Sequence, residues 1–451
     1  MAMRAGLVPI VIEASSTAVR IADSYHIIAD GEEHRSGRAV RVTVVALGDL
    51  GRSPRICYHA LALAEAGARV ELIGYVETAL DPALDRHPAI RVHPLRAPAA
   101  HASRAGFVAR GAWRVARQTG ELLRALLAST PAPDVLLVQN PPAVPTLAAA
   151  LVATRLRRAR LIIDWHNFGY AMLALRLGAG HPVVRAASGY ERAFGRRADR
   201  HLVISQAMAD DLAHRWGITG AVVLPDRPAA RFAPLTERQR EAVRVRLAAR
   251  LELPALAREP AWVVSPMSWT ADEDVALLVD AAERYDRTLA AAPDGARDLV
   301  IVVTGLGPLR DGWLARFSTL SLRRVYLRAL WVEAAEYPEV VAAADLGVSV
   351  HRSTSGVDLP MKIADLQGAG VPVCALDYGP CLAEMIRPGE NGLLFRSGAE
   401  LADQLTMLFG GAPEGADLLA RLRAGTATGA GPRWHEVWAA TAGPLFREAC
   451  T

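Results

Sequence analysis

The chain has 451 residues, too many for one ordinary core, and its 51% hydrophobic and 22% charged composition is that of a globular protein, so two domains are expected. No apolar run approaches the ~20 residues that span a bilayer; Leu7 to Ile12 near the start falls far short, which argues against a membrane span and a signal peptide. A net charge of +4 without a recognisable RNA- or DNA-binding motif argues against nucleic acid, and four cysteines (Cys57, Cys374, Cys381, Cys450) without CxxC spacing argue against zinc or a disulfide framework, in keeping with a reducing cytoplasm.

In chain order, residues 1–38 lack a clear period and read as a loosely attached leader. Short apolar runs of strand length follow at Val42–Leu47, Val70–Gly74, Val135–Val138, Leu161–Asp164 and Leu202–Ser205, with helical stretches between most of them. Buried parallel strands look like this because helices cover both faces of the sheet. Pro225, Pro228 and Pro234 then break the chain as a linker. A second series occupies Trp262–Ser265, Leu299–Thr304, Val325–Leu327, Leu346–Val350 and Val371–Ala375, and a helical tail from Arg433 to Cys450 carries Trp434 and Trp438 one turn apart. Two such series predict two doubly wound α/β domains facing each other across a cleft, with divisions at 1–225, 226–430 and a C-terminal helix at 431–451 that packs back on the first domain.

Three loops have the composition of phosphate sites. Gly48-Asp49-Leu50-Gly51-Arg52-Ser53-Pro54-Arg55 follows the first strand, with Ser53 as expected N-cap and Pro54 as first helical residue. Glycines admit a ligand to the backbone, helix-start N–H groups attract an anion, and Arg52 and Arg55 add charge. A Gly turn at Gly305 and Gly307 repeats the logic in the second half. The third loop, Ser353 to Lys362, includes Ser355, Gly356 and Asp358 and runs into a helix that sets Lys362 and Asp365 three apart on one face. Lys362 is the sole lysine against 50 arginines; compositional drift and a requirement for a compact ammonium explain this equally well. Lys362 suits a diphosphate and Asp365 a ribose diol, the alternative being an ordinary helical ion pair. Asp272-Glu273-Asp274 has the form of a cation-binding DxD triplet, but Thr270 with Glu273 reads as a capping box, so no metal and no cofactor is expected.

Eight segments in order then carry a resemblance: GDLGRSPRICYH (48–59), QNPP (139–142), DWHNFGY (164–170), SWTADED (268–274), TGLGPLR (304–310), DLGV (345–348), GVDLPMK (356–362) and ENGLLF (390–395). Together they resemble the β-1,4-mannosyltransferases that add the first mannose to chitobiosyl-diphosphodolichol, over roughly Val42 to Trp438. The resemblance implies a GT-B glycosyltransferase fold, a GDP-mannose donor and inversion at the anomeric carbon. Eukaryotic members carry an N-terminal membrane anchor that this chain lacks, and the Ala/Arg-rich composition points to a bacterial homologue acting in the cytoplasm on a polyprenyl-diphosphate-linked saccharide. By the same resemblance Asp365 holds ribose, residues near Trp331 flank the base, and His166 meets the donor sugar.

Inversion requires a base for the acceptor hydroxyl and stabilisation of the departing diphosphate. The first candidate base is Asp49, whose type is equally suited to stabilising a turn; Asp164 and His166 stand in reserve. Without metal, the leaving-group charge falls to Lys362 and the amides near Gly305, Gly307, Ser355 and Gly356. Gly48, Gly51, Arg52 and Arg55 are assigned to phosphate on the acceptor side. Arg104 to Leu127 reads as a basic amphipathic helix suited to a peripheral membrane contact or to packing on its own sheet. A retaining mannosyltransferase of cell-wall glycan synthesis, a sugar-nucleotide epimerase and a non-catalytic sugar-nucleotide-binding protein are the competing readings.

Overall fold

The computed structural model describes residues 38–96, 107–256, 258–290, 295–429 and 431–448. The expected leader, apart from Arg38, and Arg104 of the basic helix lie outside the described residues. Strands β1 (Arg41–Asp49), β2 (Arg69–Tyr75), β3 (Ile90–Pro94), β4 (Val135–Asn140), β5 (Arg160–Trp165), β6 (Arg200–Val203) and β7 (Val222–Val223) form one sheet in the order β3-β2-β1-β4-β5-β6-β7. The second sheet contains β8 (Ala261–Pro266), β9 (Leu299–Thr304), β10 (Val325–Leu330), β11 (Leu346–Ser349), β12 (Val373–Leu376) and β13 (Gly392–Phe395), ordered β10-β9-β8-β11-β12-β13. Every pairing within the two sheets is parallel. In each sheet the strand order reverses once, between β1 and β4 and between β8 and β11, and the loops at such a reversal open a crevice at the carboxyl ends of the strands.

The inner strands are the continuous apolar runs of the sequence: Val135 to Val138 and Leu299 to Val303 are essentially inaccessible. Strand β3 (Ile-Arg-Val-His-Pro) has no such run; it, β7 and β13 lie at sheet edges and are only partly buried, and β7 and β13 are apolar but short. An edge strand is covered on one side only, so its sequence has no need to be apolar throughout.

Helices divide between the faces of the first sheet. Helices Phe107–Arg124, Thr146–Arg157, Gly169–Leu177 and Pro182–Gly195 lie on one, helix Pro54–Glu65 on the other. The last helix, Trp434–Glu448, returns from the second domain and buries Trp434, Val437, Trp438, Ala442, Leu445 and Phe446 in the same core as Ile56, Ala60 and Leu63. The second domain opens with helix Glu237–Arg250, capped by Thr236 and Gln239, whose Val243 and Leu247 pack against Trp262, Val300 and Val302.

Phe446 is 2% exposed and stacks on Trp438 with ring centroids 5.7 Å apart. Replacing it by alanine is expected to cost about 3–5 kcal/mol through lost burial and a residual cavity, measured by urea unfolding; a loss under ~1 kcal/mol would mean that the last helix is not integral to the first domain.

Candidate functional site

The crevices of the two sheets face each other and enclose a cleft of about 480 Å³. Arg52, Ser53, Gln139, His166, Asp226 and Arg231 line it from the first domain and linker; Met267, Gly305, Trp331, Tyr337, Lys362 and Asp365 line it from the second.

On the second-domain side, the loop after β9 lies directly on the loop after β8. Gly305 has φ +100°, and a Cβ there would stand 1.8 Å from the Met267 carbonyl oxygen; one on Gly307 would stand 1.7 Å from that of Ser268. These two glycines are therefore demanded by loop-on-loop packing at the cleft wall, and Trp269 Nε1 reinforces it by donating to the Gly305 carbonyl at 3.0 Å. Glu273, buried, accepts the Ser268 N–H on both oxygens (2.9 and 2.7 Å) and forms an ion pair with Lys362. Lys362 Nζ also donates to Ser268 Oγ at 3.2 Å. The capping-box reading of Thr270 and Glu273 is corrected here: the helix begins at Val275, past the triplet, and Glu273 holds the Lys362 ammonium instead. The flanking acids are engaged as well, Asp272 with His351 Nδ1 at 3.4 Å and Asp274 with Arg352 Nη2 at 2.9 Å.

Lys362 and Asp365 share helix Met361–Gly368, which starts beside the cleft. Asp365 is 8% exposed; burial pushes its carboxyl up to about 8, with Arg231 pulling the other way. Arg231 donates to Asp81 Oδ2 at 2.8 Å and to Tyr58 Oη at 3.3 Å, so the proline-rich linker contributes a cation to the cleft. Trp331 stands at the rim, 44% exposed.

Asp358 does not face this cleft as a donor-binding group. It accepts from His351 Nε2 at 2.9 Å, from Ser355 Oγ at 3.0 Å and from Ser353, and Ser353 Oγ in turn takes the Gly356 N–H at 2.7 Å. Ser355, Gly356 and Asp358 thus fold the loop ahead of the Lys362 helix, and the Gly356 amide is already in use. Burial works against charge on His351, but Asp272 and Asp358 raise it to about 9, so the trio is an ion-paired brace at neutral pH.

The first-domain loop departs from its expected roles. Asp49 accepts from the Glu77 N–H (3.0 Å), the Thr78 N–H (3.3 Å) and Thr78 Oγ1 (2.7 Å), which makes it the staple of a turn rather than a base free for a hydroxyl. Gly51 packs beneath Thr78, and Gly48 lies in the last turn of β1 with no close neighbour beyond Ser53. The helix does begin at Pro54, but the Ser53 hydroxyl donates back to the Asp49 carbonyl at 2.9 Å instead of capping it. Arg52 reaches across the cleft to the Leu306 carbonyl at 2.9 Å. Arg55, assigned to phosphate, is 1% exposed and already committed: Nε and Nη2 bind Asp164 at 2.9 and 2.8 Å, and Nη1 binds the Leu224 carbonyl and Asp226 at 2.9 and 2.7 Å.

Asp164 is correspondingly excluded as the base. Burial alone would raise its carboxyl, but Arg55, then His166 and His59, hold it well below the usual range. Its Oδ2 lies 2.7 Å from His166 Nε2, so the end of β5 presents an Asp164–His166 dyad with the imidazole in the cleft. Three participants escaped sequence reasoning: Arg231, hidden in a segment read only as a break; Glu273, read as a cap; and His59, one ring within a buried helix face. A trace existed for Glu273, because an acidic triplet just past a central strand sits where a reversal of strand order opens the cleft.

Residues 51–226 match the family described as "Glycosyl transferase 4-like domain" and residues 261–410 that described as "Glycosyl transferases group 1". The chain is 38% identical to the protein named UDP-glycosyltransferase TURAN of Arabidopsis thaliana, over 91% of this chain and 98% of that one. It is 37% identical to the chitobiosyldiphosphodolichol beta-mannosyltransferase of Mus musculus, over 91% and 90%. Among solved structures, Anabaena HepE with UDP-glucose superposes with a TM-score of 0.63 at 17% identity, over 91% of this chain and 99% of that one, and so shares the two-domain fold. Paired α/β domains, a cleft between strand ends and near full-length kinship together place the chain in the chitobiosyldiphosphodolichol β-mannosyltransferase family of GT-B glycosyltransferases.

Proposed function

We propose that this glycosyltransferase moves β-mannose from GDP-mannose to a polyprenyl-diphosphate-linked saccharide, with inversion and without a metal ion, at the cytoplasmic face of a membrane. The observation that carries the reading is the opposition, across one cleft, of an ammonium at a helix start (Lys362) and a carboxylate-held imidazole (His166). The acceptor hydroxyl oxygen attacks the anomeric carbon while the bond to the diphosphate oxygen breaks; the hydroxyl proton passes to His166, and the departing charge is met by Lys362 with Arg231 and Arg52. Asp365 binds the ribose hydroxyls and Trp331 flanks the guanine. All three carboxylates of the 272–274 triplet already have cationic or N–H partners, which supports charge handling by side chains rather than by a cation.

Thermal shift with GDP-mannose against UDP-sugars tests the donor, since a ligand that binds only the folded chain stabilises it; stabilisation by UDP-sugars alone, the donor class in the Arabidopsis relative's name, would overturn GDP-mannose. His166→Ala is expected to lower kcat by about 100- to 10,000-fold, and Asp49→Asn to leave it within a few-fold. Lys362→Ala with Glu273→Gln, which avoids an uncompensated buried carboxylate, is expected to weaken donor binding at least about tenfold. Unchanged turnover in His166→Ala would remove it as base.

A second expectation concerns pH. Asp365 keeps its proton in the folded chain up to about 8, against 3.8 for an ordinary carboxyl, so over that window the folded state binds more protons than the unfolded and stability falls as pH rises. Asp365→Asn abolishes that loss: relative to wild type its Tm climbs from pH 5 to pH 9, while donor affinity drops about tenfold. A Tm difference that does not vary with pH would contradict the burial argument.

Membrane contact has a broader basis than one helix. Among the described residues no helix is long and apolar enough to cross a membrane. The helix layer on one face of the first sheet nonetheless exposes Trp113 (58%), Leu156 (67%), Met172 (47%) and Leu175 (52%) among Arg114, Arg155, Arg176 and Arg185. Such a face suits an anionic bilayer. Co-flotation with vesicles rich in phosphatidylglycerol at low salt, weakened by high salt and by Trp113→Glu with Leu175→Glu, is expected; no flotation at low salt would refute it.

A further inference from the structure

Asp164 gathers more donors than one histidine requires. Its Oδ2 receives Arg55 Nε at 2.9 Å and His166 Nε2 at 2.7 Å, and stands 3.3 Å from Nε2 of His59. His59 is fully buried in helix Pro54–Glu65. On its far side, Trp438 Nε1 of the last helix lies 2.9 Å from His59 Nδ1. An indole N–H only donates, so His59 Nδ1 accepts and the ring proton sits on Nε2, 3.3 Å from Asp164 Oδ2 in an electrostatic contact outside hydrogen-bond geometry. The Trp434 ring closes the other flank of the imidazole, edge-on at 5.3 Å.

We propose that Trp438 is a positioning residue for His166, acting through the hydrogen bond of Trp438 Nε1–H to His59 Nδ1, the electrostatic contact of His59 Nε2–H with Asp164, and the hydrogen bond of His166 Nε2–H to Asp164. With its Nε2 proton held by Asp164, His166 offers Nδ1 to the acceptor hydroxyl. The inference rests on the reading of His166 as the base and extends it to the far end of the chain, 272 positions on. The charged groups facing His59 are Asp164 of β5, Arg55 of its own helix and His166, with Asp226 of the linker behind Arg55; the last helix turns only indole rings toward it. Burial, Arg55 and His166 disfavour a charged His59, and the Trp438 donor occupies the lone pair that a second proton would need. Removing that donor frees the lone pair. As pH falls, Asp164, the one group here that favours charge on His59, then draws a second proton onto the ring; its positive charge competes for Asp164, and His166 becomes a weaker base.

In the full-length chain, Trp438→Phe keeps an aromatic ring in the core and deletes the N–H. The acid limb of the kcat–pH profile is expected to move down by about one pH unit, with the plateau lowered about three- to tenfold and donor KM unchanged. Phe446→Leu, on the same helix, is expected to lower Tm without moving the limb, which separates positioning from packing. In a His59→Phe background Trp438→Phe should no longer shift the limb, because the coupling runs through His59. ¹⁵N NMR of wild-type histidines reads the tautomer without turnover and should find the His59 proton on Nε2. A proton on Nδ1, an unmoved or raised limb in Trp438→Phe, or the same shift in Phe446→Leu would overturn the proposal. Full activity in His166→Ala alongside an Nε2 proton on His59 would instead overturn the choice of base and leave the Trp438–His59–Asp164 chain standing.

Discussion

A guanidinium in the dry centre of an α/β domain loses several kcal/mol of hydration unless acceptors replace the water. Arg55 is placed there, and its acceptors come from separate parts of the chain: both oxygens of Asp164 on β5, the Leu224 carbonyl just past β7, and Asp226 at the start of the linker. Its face lies 5.1 Å from the Trp434 ring of the last helix. One side chain therefore ties the helix Pro54–Glu65 to the end of β5, to the point where the chain leaves the first domain, and to the element that returns to it. Because Asp164 must stay ionised to satisfy Arg55, it is always available as the acceptor that orients His166. On the proposed roles, structural need and catalytic geometry are the same charge.

The opposite wall works differently. Lys362 has one carboxylate partner, Glu273, itself anchored by backbone N–H groups of the loop after β8. An ammonium on a flexible stem can turn from that partner to an incoming phosphate while remaining in reach of it, which a planar guanidinium locked in a fork does not do as readily. The contrast between a saturated Arg55 and a singly paired Lys362 separates a cation that builds the site from one that suits a ligand.

Much of this was legible in the residues. The buried strands announced themselves as short apolar runs because each is covered by helices on both sides; β3 did not because it lies at an edge and carries Arg91 and His93, and β7 and β13, apolar but short, did not stand out. The start of the helix at Pro54 was readable from local chemistry, and so was the suitability of Asp49 for a turn. What local pattern could not supply was the partner. Glu273 resembles a helix cap until Lys362, 89 positions later, is folded against it. Arg52 and Arg55 are equivalent in the sequence, yet one precedes the helix and reaches over the cleft while the other enters its buried face with Ile56, Cys57, Tyr58 and His59. The Asp164–His166 pair was named as a reserve, but its weight comes from Arg55 and His59, both of which are long-range facts.

The two domains meet through a shared apolar cluster, which holds Ile204 and Met208 with Leu359 and Leu382, and through polar contacts: Arg52 to the Leu306 carbonyl, Asn167 to Thr354 at 3.1 Å, Ser205 to the Val357 carbonyl at 2.6 Å, and Glu384 capping the helix that starts at Gln206. Each polar contact contributes on the order of 1 kcal/mol. The chain crosses between domains twice, and the crossings are bonded to each other, Trp434 N–H to the Pro228 carbonyl at 3.3 Å and Arg433 to the Phe232 carbonyl at 2.6 Å. The last helix, His59, Asp164 and His166 all pack within the first domain, whereas Lys362 stands at a helix start of the second. On the proposed roles, the groups that orient the imidazole and the ammonium that meets the leaving group therefore belong to different domains.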